Sequence, residues 1–319
     1  MNKGKNKIAN ILIGVGLVLI GISMCISLFR FDKILTPFID GDKKNYEEIT
    51  KKYGIEEFNS IVVDTSNDKI NIVATDSEEI KLTYYEKTEH KYSIKIENNT
   101  LIIKRNKYNF LNWTFGISFA PTITIEVPSN LVLGYDIKTS NSKIEISNLE
   151  VNKATLKTSN GKIIVKNINS QNDLSLTTSN DPVEVNNINV KNLNVKTSNG
   201  NINLNEVDTI SIDLKTSNAK IEMTNLVASK DMIVNTSNGP IIFKNLNCPR
   251  INLDTSNAKI SGNIRTADAP SYYKTLNTSN GTISINDNEY GKKVEEDGTG
   301  RYEIIAKTSN ANMNITIKR

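Results

Sequence analysis

The sequence is short of the residues that most chemistry needs. It holds one His, His90, and two Cys, Cys25 and Cys248. That excludes a triad with a second His in reserve, a zinc finger, a haem pair and a disulfide framework. Trp occurs once and aromatics make up 6% of the chain, so the core must be aliphatic. There are only 7 Pro in 319 residues. The net charge is +4, and it sits in residues 1–33, where Lys3, Lys5, Lys7, Arg30 and Lys33 face Asp32 alone. The rest carries 34 basic and 34 acidic residues. A neutral body lacks the basic face that nucleic acid requires, and no nucleic-acid partner is expected.

Ile8 to Phe29 has no charged residue over 22 positions. As helix that is about 33 Å, against a hydrocarbon core of ~30 Å. The expected reading is a single uncleaved transmembrane anchor, residues 8–29. A cleaved signal peptide competes, but the apolar run is longer than a signal core and no small-x-small site follows. A lipoprotein would use Cys25, yet Met24 precedes it where a lipobox wants Gly, Ala or Ser. Lys3, Lys5 and Lys7 before the span place residues 1–7 in the cytoplasm and the body outside. The chain is thus expected in the cell membrane, single-pass, with Cys248 a buried packing residue.

Thr-Ser-Asn occurs ten times, at Thr65, Thr139, Thr158, Thr178, Thr197, Thr216, Thr236, Thr255, Thr278 and Thr308. From Thr139 to Thr255 the steps are 19 or 20 residues, then 23 and 30. Such a period marks a solenoid. Counting from each Thr, positions −4, −2, +5, +7 and +10 are apolar in all six copies from Thr139 to Thr236. Spacing of two means strand. The Thr shares the inward face with −4 and −2. The odd step to +5 demands a corner, which Ser-Asn-Gly would turn through left-handed dihedrals. The residue after Asn is Gly at 161, 200, 239 and 281 and Ala at 219, 258 and 311. Nothing in the sequence accounts for that alternation. A third short segment starts at +10. The fold class is therefore all-β, a parallel β-helix of 19–20 residues per coil, with coils stacked at about 4.8 Å. Stacking puts Asn141, Asn160, Asn180, Asn199, Asn218, Asn238 and Asn257 in one column, where amides can pair along the axis.

Residues 30–57 read as a spacer or cap with a short helix over Lys43–Lys52. Residues 58–319 form the solenoid domain, with regular coils over 131–265. The run 108–120 gathers Tyr108, Phe110, Trp113, Phe115 and Phe119. It reads either as a sugar- or lipid-contacting loop or as a loop folded over the solenoid. Lys318 and Arg319 on the final strand would discourage end-to-end pairing.

The anchor, the irregular strands, the run ITIEVP over 123–128 and the repeated KTSNGKI coils together resemble the bacterial putative-adhesin family. The resemblance covers about residues 58–319. It implies a right-handed β-helix on the outside of a bacterial envelope and carries no catalytic residues over.

Enzymatic β-helices need clustered acids or ion ligands on one outer strand. The outward +6 row reads Glu145, Ile164, Glu184, Asn203, Glu222, Ile242, Ser261, so adjacent coils never pair two carboxylates. His90 reads as a surface or packing residue. No catalytic, metal or cofactor residue is expected. The outward −1 row offers Lys138, Lys157, Lys196 and Lys215, a stripe some 19 Å long. It reads as a contact for anionic wall polymer or lipid head groups, or as a solvated face that blocks sheet-to-sheet pairing. The expected role is a non-enzymatic, adhesin-like or envelope-sensing display module, whose partner is wall polymer or another envelope protein. A carbohydrate-active β-helix enzyme is the alternative.

Overall fold

The computed structural model describes residues 44–88, 90–105, 120–266, 272–298 and 302–318. The expected anchor 8–29, Cys25 and the aromatic run up to Phe119 lie, apart from Ala120, outside these residues. Among the described residues no helix is long and apolar enough to cross a membrane. Glu48–Tyr108 and Ala120–Arg319 form one compact unit. Of the second unit, Met1–Glu47 with Asn109–Phe119, only residues 44–47 are described.

All assigned elements are strands, and they join one sheet system. In chain order the first are β1 (Glu47–Tyr53), β2 (Ser60–Asp64), β3 (Lys69–Thr75), β4 (Ile80–Glu86), β5 (Tyr92–Glu97), β6 (Thr100–Arg105), β7 (Thr122–Pro128) and β8 (Leu133–Lys138). The regular stack comprises β9 (Ile144–Lys157), β10 (Ile163–Asn169), β11 (Asp173–Thr177), β12 (Val183–Lys196), β13 (Ile202–Lys215), β14 (Ile221–Asn235), β15 (Ile241–Asn247), β16 (Arg250–Asp254) and β17 (Ile260–Arg265). Then come β18 (Tyr273–Thr278), β19 (Ile283–Ile285), β20 (Asn288–Glu289), β21 (Lys293–Glu296), β22 (Glu303–Thr308) and β23 (Met313–Lys318). The helix expected over 43–52 is not there. Its C-terminal part is β1, an edge strand beside β4, and its charged EEITKKY has no helical apolar stripe to bury.

Each coil pairs in parallel with the next at the equivalent residue, as in Ile163 with Ile144 and with Val183. All thirty apolar repeat positions from Tyr135 to Leu246 are buried, each at most 4% exposed. A sixth inward position, +12, completes the section: Val151, Ser170, Val190, Thr209, Ala228 and Cys248. It escapes a sequence reading because its chemistry is mixed. The 20-residue steps gain their extra residue after this position, around Ser170–Asn172 and at the register shift opposite Thr209–Ser211.

The left-handed residue is not in Ser-Asn-Gly. It is the residue at +9, namely Asn148, Asn167, Asn187, Glu206, Asn225 and Asn245, with φ between 52° and 59°. Asn suits that position because its short side chain tolerates the conformation. The repeat glycines are small for another reason. A Cβ on Gly161, Gly200, Gly239 or Gly281 would lie 1.7–2.1 Å from the carbonyl oxygen of the coil beneath. The coils between keep a Cβ at Asp181, Ala219 and Ala258. One hydrogen bond marks glycine coils: Gly200, Gly239 and Gly281 donate N–H to their own Thr Oγ1, whereas the Thr hydroxyls donate to a neighbouring carbonyl on both kinds of coil, Thr216 and Thr255 to Gly200 and Gly239, Thr236 and Thr278 to Ala219 and Ala311. Close approach at Gly161, Gly200 and Gly239, on every second coil of the regular stack, is thus the physical basis of the alternation there, which ends where Ala258 and Ala311 occupy adjacent coils.

Neither end of the stack follows chain order. The coil β2–β3 lies between β6–β7 and β8–β9. The coil β22–β23 lies between β16–β17 and β18–β19. Antiparallel strands complete both ends, β5 on β6 and β4 on β7 at one, β21 on β18 and β20 on β19 at the other. The final strand is therefore interior, and Lys318 pairs with Arg265 instead of guarding an edge.

Candidate functional site

Each of the ten repeat threonines is buried, at most 7% exposed. Thr139, Thr178, Thr255, Thr308 and Thr278 donate their hydroxyls to carbonyls of the neighbouring coil at 2.9–3.1 Å. A buried hydroxyl needs such an acceptor, which is why Thr and not Val recurs here. Beside them runs an unbroken amide ladder. Nδ2 of each Asn donates to Oδ1 of the one beneath at 2.6–2.8 Å, in the order Asn67, Asn141, Asn160, Asn180, Asn199, Asn218, Asn238, Asn257, Asn310, Asn280. All ten Thr-Ser-Asn copies are used, and the steps of 23 and 30 vanish once Thr308 is seen to stack between Thr255 and Thr278. The ladder is exposed but its amide groups are spent on one another.

The parallel register brings Lys138 beside Lys157, Lys157 beside Thr177, Thr177 beside Lys196 and Lys196 beside Lys215. Lys138 reaches Asp64 at 4.0 Å. Lys157, Lys196 and Lys215 are exposed and make no ion pair among the described residues. The other sheet face differs. There Glu145 meets Lys143 at 2.7 Å and Lys166 at 3.4 Å, Glu184 meets Lys162 at 2.6 Å, and Glu222 meets Lys220 at 2.6 Å. The Lys143 hydrogen bond leads in holding the Glu145 carboxyl below the usual range. The +6 row is in register as Glu145, Ile164, Glu184, Asn203, Glu222, Ile242. Its carboxylates are thus two coils, or about 10 Å, apart, and no pair of them shares a proton or an ion. Among the described residues no group of three or more potential ligands could hold a metal ion.

A buried ionic cluster was not foreseen. Lys104 pairs with Asp64, so Arg105 follows where every repeat coil has its inward Thr. Arg105 Nη2 lies 3.0 Å from Oδ1 of Asp68, which is fully buried, and Tyr92 donates its hydroxyl to the same oxygen at 2.8 Å. The guanidinium sits 5.2 Å over the Tyr92 ring. Burial nonetheless pushes the Asp68 carboxyl up, and Oδ2 has no hydrogen-bond partner. The cluster joins the two coils nearest the β5 end and is structural. The sequence signal was the basic residue at a Thr position.

A family profile described as Toastrack DUF4097 matches residues 58–226. The chain belongs to this family. The Toastrack DUF4097 match covers just over half of the chain and takes in the coils from β2 to the first part of β14. No curated protein matches the chain. Among solved structures it is similar to a putative adhesin from Bacteroides fragilis NCTC 9343, at 14% identity, 85% of this chain and 97% of that one, with a TM-score of 0.44. A putative adhesin from Parabacteroides merdae ATCC 43184 has 14% identity, 84% and 96% coverage and a TM-score of 0.39. A putative lipid binding protein from Parabacteroides distasonis ATCC 8503 has 11% identity, 85% and 96% coverage and a TM-score of 0.32.

Proposed function

We propose that this Toastrack DUF4097 protein is a membrane-anchored, extracytoplasmic display module that acts by adhesin-like contact and not by catalysis. In this reading residues 8–29 span the cell membrane once, residues 30–57 carry the body clear of it, and the coil winds right-handed. The contact is made by the lysine row with an anionic wall polymer. The observation that carries this reading is the difference between the two sheet faces. Lysines of the second strand are neutralised by glutamates at 2.6–2.7 Å, whereas Lys157, Lys196 and Lys215 are left open in a line. Lys196 and Lys215 stand one coil, about 4.8 Å, apart and Lys157 two coils, about 10 Å, from Lys196, and such a row fixed on a regular backbone favours a flexible polyanion that can adapt its charges to it.

The test is co-sedimentation of the chain with teichoic acid at low salt, comparing wild type with the triple variant Lys157→Gln, Lys196→Gln, Lys215→Gln. Retention should fall at least tenfold in the variant and in wild type at high salt. Unchanged retention of the variant removes the row as the contact site.

A further inference from the structure

A second column of asparagines runs along the left-handed corner, and it is broken at one place. Asn167 donates to Asn148 at 2.6 Å and Asn187 to Asn167 at 2.8 Å, while further on Asn245 donates to Asn225 at 2.8 Å. Between the two runs stands Glu206, at φ 55° the one residue other than Asn at this corner of the six regular coils. A glutamate gains nothing from that backbone, which disfavours its Cβ. No hydrogen bond bridges the gap among the described residues. Asn187 keeps an Oδ1 without a donor and Asn225 an Nδ2 without an acceptor, one on each side of the carboxylate.

The break opens into a surface groove of about 560 Å³ that runs over four successive coils. Its floor is the edge of Ile188 and Val207, and Val227, 41% exposed, adds an apolar wall. Asp208 lines it beside Glu206. Around the break the polar groups are two carboxylates and the Asn187 amide oxygen that accept and the Asn225 amide that donates, with Asn169 and Asn189 adding further amides along the groove and apolar patches between them. Vicinal hydroxyls have the complementary chemistry, since each donates to a carboxylate and accepts from an N–H. A pyranose also turns an apolar C–H face to a hydrophobic wall. The coil repeat of about 4.8 Å is close to the length of one hexopyranose unit. Two carboxylates repel a phosphate- or carboxylate-bearing polymer.

We propose that this groove binds a linear, uncharged oligosaccharide, with Glu206 and Asp208 accepting from its hydroxyls and Asn225 donating to one. The groove lies at a different corner from the lysine row, so the proposal stands apart from the polyanion contact.

The experiment is calorimetric titration of the full chain in detergent with cellohexaose, chitohexaose and maltohexaose. At least one should bind, and Glu206→Asn should weaken it tenfold or more. That variant supplies the Asn used at the other five corners, so it should melt no lower than wild type, and lost binding cannot be blamed on unfolding. The triple lysine-to-glutamine variant should bind as wild type does. Binding to none of the three sugars, or equal binding by Glu206→Asn, overturns the proposal. Loss of polyanion retention with sugar binding intact would instead concern the lysine row.

Discussion

Replacing Gly200 by Ala should be among the most damaging single-methyl additions in the chain, and replacing Ala219 by Gly one coil on should be mild. A Cβ on Gly200 lies 1.9 Å from the Asp181 carbonyl oxygen, and ordinary contact begins near 3.4 Å, so the two backbones must part by about 1.5 Å. The obstacle is main chain and cannot swing away. Parting there strains the bonds from the Ser198 and Asn199 N–H groups to Ser179 O, now 3.1 and 2.9 Å. Losing both removes about 0.5–1.5 kcal/mol each, and overpacking adds about 1–3 kcal/mol, for a total of about 2–6 kcal/mol. Ala219→Gly removes no contact of that kind and costs about 0.5–1 kcal/mol through backbone freedom. Coils of a solenoid open semi-independently, so urea unfolding should be paired with native-state hydrogen exchange at Ser198 and Asn199. Gly239→Ala, built the same way against Ala219 O, should repeat the result. If Gly200→Ala unfolds within 1 kcal/mol of wild type, or costs no more than Ala219→Gly, the account of the alternating glycines is wrong.

Asn199→Ala removes two ladder bonds, to Asn180 and from Asn218, and should lower stability by about 1–2 kcal/mol. Asn199→Asp should cost more, since it sets a carboxylate against the Asn180 carbonyl; thermal melts of the two variants rank them. Burial raises the Asp68 pKa in the fold. Its carboxyl therefore favours the folded state most when protonated, and that contribution fades as pH rises from the unfolded value of about 3.9 through the raised folded one. Wild type should accordingly lose stability relative to Asp68→Asn over that window, read as the difference between their urea midpoints; a pH-independent difference would exclude it. Burial pushes the Cys248 thiol up to about 12, so a disulfide reagent at pH 8 should label this thiol only after unfolding.

The inward register was legible because six coils repeat one aliphatic pattern, and each repetition tests the last. The left-handed corner was visible too, as the Asn that precedes Leu149, Ile168, Ile188 and Leu226, but Asn-Gly is the commoner turn signature and drew the assignment away. Gly161 and Gly200 serve closeness between coils, which depends on what lies beneath and leaves no mark in a single coil. The position at Cys248 was missed because Val, Ser, Thr, Ala and Cys share size and not polarity. Stacking order at the ends was beyond the pattern, since Thr308 and Thr278 carry the same three residues. The lysine row follows from the strand period alone, whereas Glu206 stands out only once its neighbours' dihedrals are known.

The interleaving of β22–β23 also dictates a sequence of events. Tyr273–Ile285 leaves the ribosome first and can pair on one side with β20 and β21, but its other edge has no partner until residues 303–318 lie between it and β16–β17. Either the slot stays open for that insertion, or β22–β23 pairs with β16–β17 first and β18–β19 closes over it. A chain cut before Glu303 would present two unpaired strand edges facing each other across a gap one coil wide. Another molecule's 303–318 segment would fit that gap as well as its own, so the wedge that locks the barrel of coils is also the piece two copies can trade.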